Sequence, residues 1–210
     1  MLKHTRVTVT PFQQNCRVFY DEDSLQACVV DPGGDAGTIR RICADLGVSV
    51  RAILLTHGHL DHIGGVAELK QMTGAGVIGP AAGDGRLIRG IAGQAALLGL
   101  PAAGGFEYRR VSDGEELTLL PGLRLQVIAT PGHTPGGVCY YCADLGFALT
   151  GDTLFAGSVG RTDFPGGSYA DLLASLDRLM ALPDETAVLS GHGPDSTIGA
   201  ERAGNPFCRG

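Results

Sequence analysis

Short apolar runs separated by turn-forming residues dominate the hydrophobic pattern of this chain and predict a protein of mixed strands and helices. Strands are expected at residues 6–10, 16–20, 27–31, 50–55, 107–111, 116–120, 123–128, 137–142, 147–150 and 187–189. Helices are predicted where apolar residues recur about every 3.6 positions, over 39–46, from Ile63, and from Ser168 to the residue before Pro183. The order is a β-meander, then alternating strands and helices, then a second run of strands.

Residues 81–105 interrupt this pattern, because they are rich in Gly and Ala and poor in β-branched residues. The apolar positions from Leu87 to Leu98 are compatible with a helix. We interpret the segment as a connector, and a lid over a pocket is the alternative. Residues 1–210 are otherwise expected to form one domain, since this length suits a single domain with a substantial core.

The ends of four predicted strands share a chemical feature. Each apolar strand is followed at once by a histidine or an aspartate flanked by glycine, at 57–62, His133, Asp152 and His192. In sheets of this kind ligands bind beyond the carboxyl ends of strands, where glycine allows the backbone to come close. Five of the six histidines lie at these exits, and only His4 does not. The pattern predicts one site built from several strand ends.

The first exit reads THGHLDHIGG over residues 56–65 and is the densest in histidine. Neutral imidazole and carboxylate bind zinc, iron or manganese while leaving positions open for water. His57 and His59 can point to one ion, and Asp61 and His62 begin the next turn and point to a neighbouring position. A histidine-rich surface turn is the alternative, but histidine is rare here, six in 210 residues. The motif therefore predicts a metal site with room for two ions.

Composition argues against several classes of partner. The formal net charge is −6, and no cluster of Lys and Arg exceeds a pair, so neither nucleic acid nor an anionic membrane is expected as a partner. The N-terminus does not resemble a signal peptide, and no stretch approaches the roughly 18 apolar residues of a membrane span. A cytoplasmic location is the expectation.

The six cysteines are scattered among apolar neighbours, as is typical of reduced, buried thiols. Cys139 and Cys142 form a CxxC pair, for which a redox or zinc role is the alternative. They lie in a predicted strand, where residues three apart face opposite sides. We therefore interpret them as core or surface thiols.

Taken together, these motifs resemble the metallo-β-lactamase superfamily, and within it the single-domain glyoxalase II-like (hydroxyacylglutathione hydrolase) branch. The resemblance runs from about residue 7 to residue 207, with the motifs in the family's order. It implies an α/β fold, a four-layer αβ/βα sandwich in which two mixed β-sheets lie face to face with helices outside. It also implies two divalent metal ions, with zinc as the first candidate and iron or manganese as alternatives. The implied ligands are His57, His59 and His133 for one ion and Asp61, His62 and His192 for the other, with Asp152 bridging.

The same resemblance implies a dinuclear metallohydrolase in which a bridging metal hydroxide attacks the substrate and Asp61 orients it. Two ions lower the pKa of the shared water towards neutrality. A small-molecule thioester such as S-lactoylglutathione suits this chemistry, because a thiolate with a pKa of about 8.5 departs without a general acid. The loop 160–167, Gly-Arg-Thr-Asp-Phe-Pro-Gly-Gly, is similar to loops of the single-domain members.

Four further positions are candidates on the same resemblance, each with a structural alternative. Arg161 would bind a carboxylate of a glutathione-like substrate, or form an ion pair with Asp163. Arg202 and Asn205 would line the pocket, or cap the last helix. Asp31 matches a family position near the site, where it would hold a ligand imidazole by its other nitrogen, or form a turn.

Two other activities occur on this fold. Persulfide dioxygenases have a very similar Gly-Arg-Thr-Asp-Phe loop and use one iron, which here would be held by His57, His133 and Asp152. The Asn-Pro-Phe ending at 205–207 favours the hydrolases. Secreted β-lactamases are not expected, because no export signal is recognised and because Asp152 supplies a bridging carboxylate that those enzymes lack.

Overall fold

Two β-sheets packed face to face form the centre of the protein in the computed structural model, which describes residues 1–101 and 103–208. The strands of the first sheet, in spatial order, are β1 (Leu2–Val9), β2 (Gln14–Asp21), β3 (Gln26–Val30), β4 (Ser49–Leu54) and β5 (Gly76–Ile78). β1, β2 and β3 pair antiparallel, whereas β3, β4 and β5 pair parallel. The first sheet is therefore mixed.

The second sheet has six strands and is also mixed. Its strands, in spatial order, are β13 (Ser196–Thr197), β12 (Ala187–Ser190), β9 (Phe147–Gly151), β8 (Val138–Cys142), β7 (Leu123–Ala129) and β6 (Glu116–Leu120). β12 and β9 pair parallel, and the other neighbours pair antiparallel. A separate antiparallel pair is formed by β10 (Leu154–Phe155) and β11 (Ser158–Val159).

Helices cover the outer faces of both sheets. They are α1 (Ala36–Asp45), α2 (Leu60–Ile63), α3 (Val66–Thr73), α4 (Gly85–Arg89), α5 (Ile91–Leu98), α6 (Tyr169–Met180) and α7 (Ile198–Gly204), with a 3₁₀ turn at Ala82–Asp84. Because side chains alternate along a strand, Val29 packs with the helices of the first sheet, while Cys28 and Val30 pack between the sheets. Separate apolar clusters lie outside the first sheet, between the sheets and outside the second sheet, which confirms the predicted four-layer sandwich.

The two cysteines of the CxxC pair follow the same rule. Cys139 packs with α6 outside the second sheet, and Cys142 packs between the sheets. All six cysteines are free thiols, and only Cys208 is not fully buried. The pair is therefore part of the core, as expected.

Several short elements differ from the sequence prediction. The predicted strand 107–111 makes a single bridge, between Arg109 and Ile78, beside the edge strand β5. β5, β10, β11 and β13 have two or three residues each, too few for a hydrophobic period to emerge. The predicted helix from Ile63 divides into α2 and α3 at Gly64 and Gly65.

Candidate metal centre

The candidate ligands all lie just beyond the carboxyl ends of strands. β4 leads to His57 and His59, β7 to His133, β9 to Asp152 and β12 to His192. Asp61 and His62 lie on the single turn of α2, which starts directly after His59. The two sheets meet at this edge, so seven side chains that are distant in sequence converge there.

His57, His59 and His133 form the first group, and one ligand atom from each lies within 4.8 Å of the others. Nδ1 of His59 is 2.9 Å from Nε2 of His133. Nε2 of His57 is buried and has no hydrogen-bond partner among residues 1–101 and 103–208. Burying an unpaired polar atom is costly, so this nitrogen requires a partner that the polypeptide does not provide.

Asp61, His62 and His192 form the second group by the same distance criterion. Nε2 of His192 is 3.2 Å from Oδ2 of Asp61 and 3.4 Å from Nε2 of His62. Two ligand nitrogens on a tetrahedral zinc, each at 2.0–2.1 Å, lie about 3.3 Å apart. The nitrogen separations in both groups are close to that value, so the donor sets fit divalent cations.

Asp152 lies between the two groups. Its Oδ1 is 3.1 Å from Nε2 of His62, and its Oδ2 is 3.7 Å from Nε2 of His133 and 3.5 Å from that of His192. His57, His62 and Asp152 also satisfy the 4.8 Å criterion. A carboxylate in this position can be shared by two cations.

Burial and charge shift the protonation of these groups in opposite directions. Burial, and then the neighbouring imidazoles, lower the pKa of His57 well below its usual value and that of His59 to about 4. Although burial disfavours the charged form of His62, the carboxylates of Asp152 and Asp61 raise its pKa well above the usual value. Despite its own burial, Asp152 has a lowered pKa because His62 lies beside it. Without metal, His57 and His59 are thus neutral imidazoles, whereas His62 holds a proton between carboxylates.

Asp31 makes the contact that the resemblance implied for it. Its Oδ2 is 2.9 Å from Nδ1 of His62, the ring nitrogen opposite the one that faces the second group. The same carboxylate accepts hydrogen bonds from the backbone and hydroxyl of Thr56, at 2.8 and 2.6 Å. Such a contact orients the ring and increases its basicity.

Asp84 is a residue that the sequence analysis did not identify. Its side chain is fully buried, and it accepts hydrogen bonds from the backbone N–H of Gly58 at 2.8 Å and of Gly136 at 2.6 Å. It also accepts one from the hydroxyl of Thr134 at 2.9 Å. Burial raises its pKa despite these bonds. A lone aspartate in a Gly- and Ala-rich segment carries no motif, so only the structure reveals it.

The start of β2 supports the second group from the opposite sheet. The Asn15 side chain donates to the carbonyls of Ser190 and Gly193, at 3.2 and 2.9 Å, and its backbone N–H donates to that of Gly191 at 2.7 Å. Nδ1 of His192 lies 3.1 Å from the carbonyl oxygen of Phe12. These contacts hold the loop that carries His192.

Two glycines are required because the chain packs too closely for a side chain. A Cβ on Gly33 would lie 1.4 Å from the carbonyl oxygen of Asp61. A Cβ on Gly191 would lie 2.4 Å from Oδ1 of Asp152 and 2.6 Å from Cε1 of His62. The glycines at these strand exits therefore allow the loops to meet.

The Arg161 side chain makes the ion pair that was the alternative to substrate binding. Its Nε and one terminal nitrogen each donate to Asp163 at 2.6 Å. The guanidinium lies 4.1 Å from the ring centre of Phe164, whose ring packs edge-on against His59 at 5.5 Å. The backbone carbonyl of Arg161 is 2.7 Å from Nδ1 of His133. The loop thus reaches the first group through its aromatic ring and its backbone.

Arg202 and Asn205 do not line the site, which corrects the expectation for both. Arg202 donates to the carbonyls of Met180 and Leu182 and pairs with Asp184. These three partners lie at and just after the end of α6. Asn205 is buried at the end of α7. Its amide donates to the carbonyls of Phe155 and Ser158 and to Glu201.

The predicted connector or lid, residues 81–105, packs against the helices of the first sheet. Residue 102 lies outside the described part of the chain. Ile88, Ile91 and Ala95 are buried in the cluster outside the first sheet. The Gln94 side chain accepts from the backbone N–H of Leu60 and donates to the carbonyl of Gly58, both at 3.0 Å. This packing suits the connector interpretation.

No helix within residues 1–101 and 103–208 combines the length and the apolar character that crossing a bilayer requires.

With this sandwich and this set of histidines and aspartates, the chain belongs to the metallo-β-lactamase superfamily, whose family model matches residues 9–192. Among curated relatives, it is 39% identical to the hydroxyacylglutathione hydrolase GloC of Haemophilus influenzae over 96% of this chain and 95% of that protein.

Solved structures agree on the fold. The BLEG-1 B3 metallo-β-lactamase matches with a TM-score of 0.91 and 35% identity over 99% of this chain and 100% of its own. TTHA1623 in a di-iron-bound form matches with a TM-score of 0.89 and 37% identity over 97% and 99%. ETHE1 from Myxococcus xanthus matches with a TM-score of 0.81 and 28% identity over 97% and 83%.

Proposed function

We propose that this protein is a dinuclear metal-dependent hydrolase that cleaves a thioester such as S-lactoylglutathione. The observation that carries this proposal is the convergence of two ligand groups with Asp152 between them. The likeness to a hydroxyacylglutathione hydrolase along nearly the whole of both chains supports the same substrate class.

His57, His59 and His133 would hold one ion, Asp61, His62 and His192 the other, and Asp152 both. When bound, two such ions supply a water that is deprotonated at neutral pH and polarise the carbonyl of the substrate. Asp61 would orient the attacking water through a carboxylate oxygen. Zinc remains the first candidate, and iron or manganese suit the same donors.

Aromatic side chains lie on both sides of the ligands, where they would contact a bound substrate. Phe164 lies against His59, and Phe155 lies edge-on to His192 at 6.1 Å. A thioester needs no protonated group to release its thiolate, which has a pKa of about 8.5. Arg161 would release Asp163 and bind a substrate carboxylate in its place.

The test is to incubate the metal-loaded protein with S-lactoylglutathione and follow the loss of thioester absorbance. We expect hydrolysis by the wild-type protein and none by Asp152→Ala. The Arg124→Gln variant, which alters an exposed pair with Asp144, should keep full activity. An inert wild-type protein with both ions bound would contradict the proposal.

A mononuclear-iron persulfide dioxygenase is the second candidate. Its iron would be held by His57, whose Nε2 is unpaired among the described residues, and by His133 and Asp152, which lie 3.7 Å apart. Metal analysis that finds one iron per chain, together with oxygen uptake driven by glutathione persulfide, would select this candidate. Near two ions per chain and no oxygen uptake would select the hydrolase.

A further inference from the structure

One buried carboxylate joins the two loops that carry the first ligand group. Gly58, which donates to Asp84, lies between His57 and His59. Thr134, the other donor to the same Oδ2, directly follows His133. Oδ1 accepts the N–H of Gly136, two residues further along the same loop.

From this geometry we propose that Asp84 is a positioning residue that sets the metal affinity of the group His57, His59 and His133, separately from the other group. The inference rests on the proposed metal-binding function. Among the described residues, the hydrogen bonds of the Asp84 side chain all go to the two loops of the first group. Within the described part of the chain, neither the turn α2, which carries Asp61 and His62, nor the loop that carries His192 donates a hydrogen bond to it.

A carboxylate is needed at this position because both of its oxygens must accept. An asparagine has nearly the same size and shape but only one acceptor oxygen. If its NH₂ faces Gly136, that bond is lost, although the amide oxygen can still accept from Gly58 and Thr134. If it faces Gly58, the bond to the histidine motif is lost. Asp84→Asn therefore fills the space but cannot keep all three hydrogen bonds.

The second group has its own support, which provides a matched control. The Asn15 side chain donates to two carbonyl oxygens of the His192 loop, those of Ser190 and Gly193. Its backbone N–H donates to the carbonyl of Gly191. It is buried, as Asp84 is. Asn15→Ala should therefore weaken the group that contains His192 and leave the first group intact.

The experiment is a titration of the metal-free full-length protein with Co²⁺, followed by calorimetry and by the visible absorption of the bound ion. Variants His133→Ala and His192→Ala identify the signal of each group. We expect Asp84→Asn to lose about 10- to 100-fold in affinity at the first group only, the range typical when a partner of metal ligands is removed. Asn15→Ala should lower the Co²⁺ affinity at the group that contains His192 and leave the affinity at the first group unchanged.

Equal losses at both groups, or none at the first, would overturn the inference. Should Asp84→Asn not fold, as judged by circular dichroism, Thr134→Val removes a single bond to Asp84 and should give a smaller loss at the same group. An unchanged first group in Thr134→Val would then count against the role. A wild-type protein that binds Co²⁺ at both groups but leaves S-lactoylglutathione intact would contradict the proposed function, not this inference.

Discussion

At the scale of single residues, burial and the neighbouring charges together decide which imidazoles are ready to bind a cation. His57 and His59 have lowered pKa values because their rings are buried beside other imidazoles. His62 is equally buried, yet the carboxylates of Asp152 and Asp61 raise its pKa. Identical side chains in one motif therefore differ in charge because of their neighbours.

His59 makes the stability of the metal-free protein depend on pH. The unfolded chain binds a proton at this residue near pH 6.5, whereas the folded protein does so only near pH 4. Between these values the unfolded state holds more protons, so the free energy of unfolding falls as the pH falls. His62, whose pKa is raised, is protonated in both states there and adds no slope.

Urea unfolding at pH 6.5 and 4.5 in the presence of a chelator measures this effect. We expect a smaller loss of stability in His59→Asn than in the wild type, because asparagine does not titrate. Equal losses in the two proteins would show that His59 does not contribute.

Arg161 offers a second prediction at this scale. Its pair with Asp163 is mostly exposed and should contribute little to stability, because solvent screens exposed ion pairs. Arg161→Gln should therefore raise KM for S-lactoylglutathione several-fold with little change in Tm or kcat. Asp163→Asn, which releases the guanidinium, should lower KM or leave it unchanged. An unchanged KM in Arg161→Gln would leave the ion pair as the only role of this residue.

At the scale of elements, the C-terminal helix α7 secures the β10–β11 hairpin. Asn205 donates to the carbonyls of Phe155 and Ser158. Glu201 accepts from Asn205 and from the backbone N–H of Gly157 at the tip of the hairpin. Phe155 in turn packs against His192, so α7 supports the site indirectly through the hairpin.

Replacing Asn205 by alanine tests this assignment. The buried carbonyls and Glu201 lose a partner, which costs about 1–3 kcal/mol and should lower Tm by roughly 2 to 12 °C in a protein of this size. KM for S-lactoylglutathione should not change. A raised KM at unchanged Tm, from thermal melts and steady-state kinetics, would restore Asn205 as a substrate contact.

At the scale of the whole molecule, neither sheet contains a complete site. His57 follows a strand of the first sheet, and His133, Asp152 and His192 follow strands of the second. The apolar layer between the sheets sets the distance between these loops. Metal affinity and folding are therefore coupled, because the unfolded chain has no preformed site.

Asp152 is the residue whose replacement should affect metal binding at both groups. Because it approaches ligands of both groups, Asp152→Ala should lower Co²⁺ affinity at both, whereas His133→Ala should affect one. The stabilisation by added metal, measured as the rise in Tm, should shrink accordingly. If Asp152→Ala loses only one ion, the carboxylate is not shared.

The sequence by itself predicted the longer strands and helices and proposed seven candidate ligands, which the fold brings together. Strand exits marked by glycine, histidine and aspartate are local patterns, and a chain that buries its apolar strands has to expose these residues at one edge. The close approach at Gly33 and Gly191 shows why glycine belongs there.

Apart from the contact of Asp31 with His62, only the tertiary structure decided how the ligands are supported. Asp84, Asn15 and Gln94 carry no motif. Their hydrogen-bond partners in the ligand loops lie 26 or more residues away in sequence. Arg202 and Asn205 looked like pocket residues, but packing places them against α6 and the hairpin. A hydrogen bond across the fold depends on the geometry of both partners, and the local order of residues does not contain that geometry.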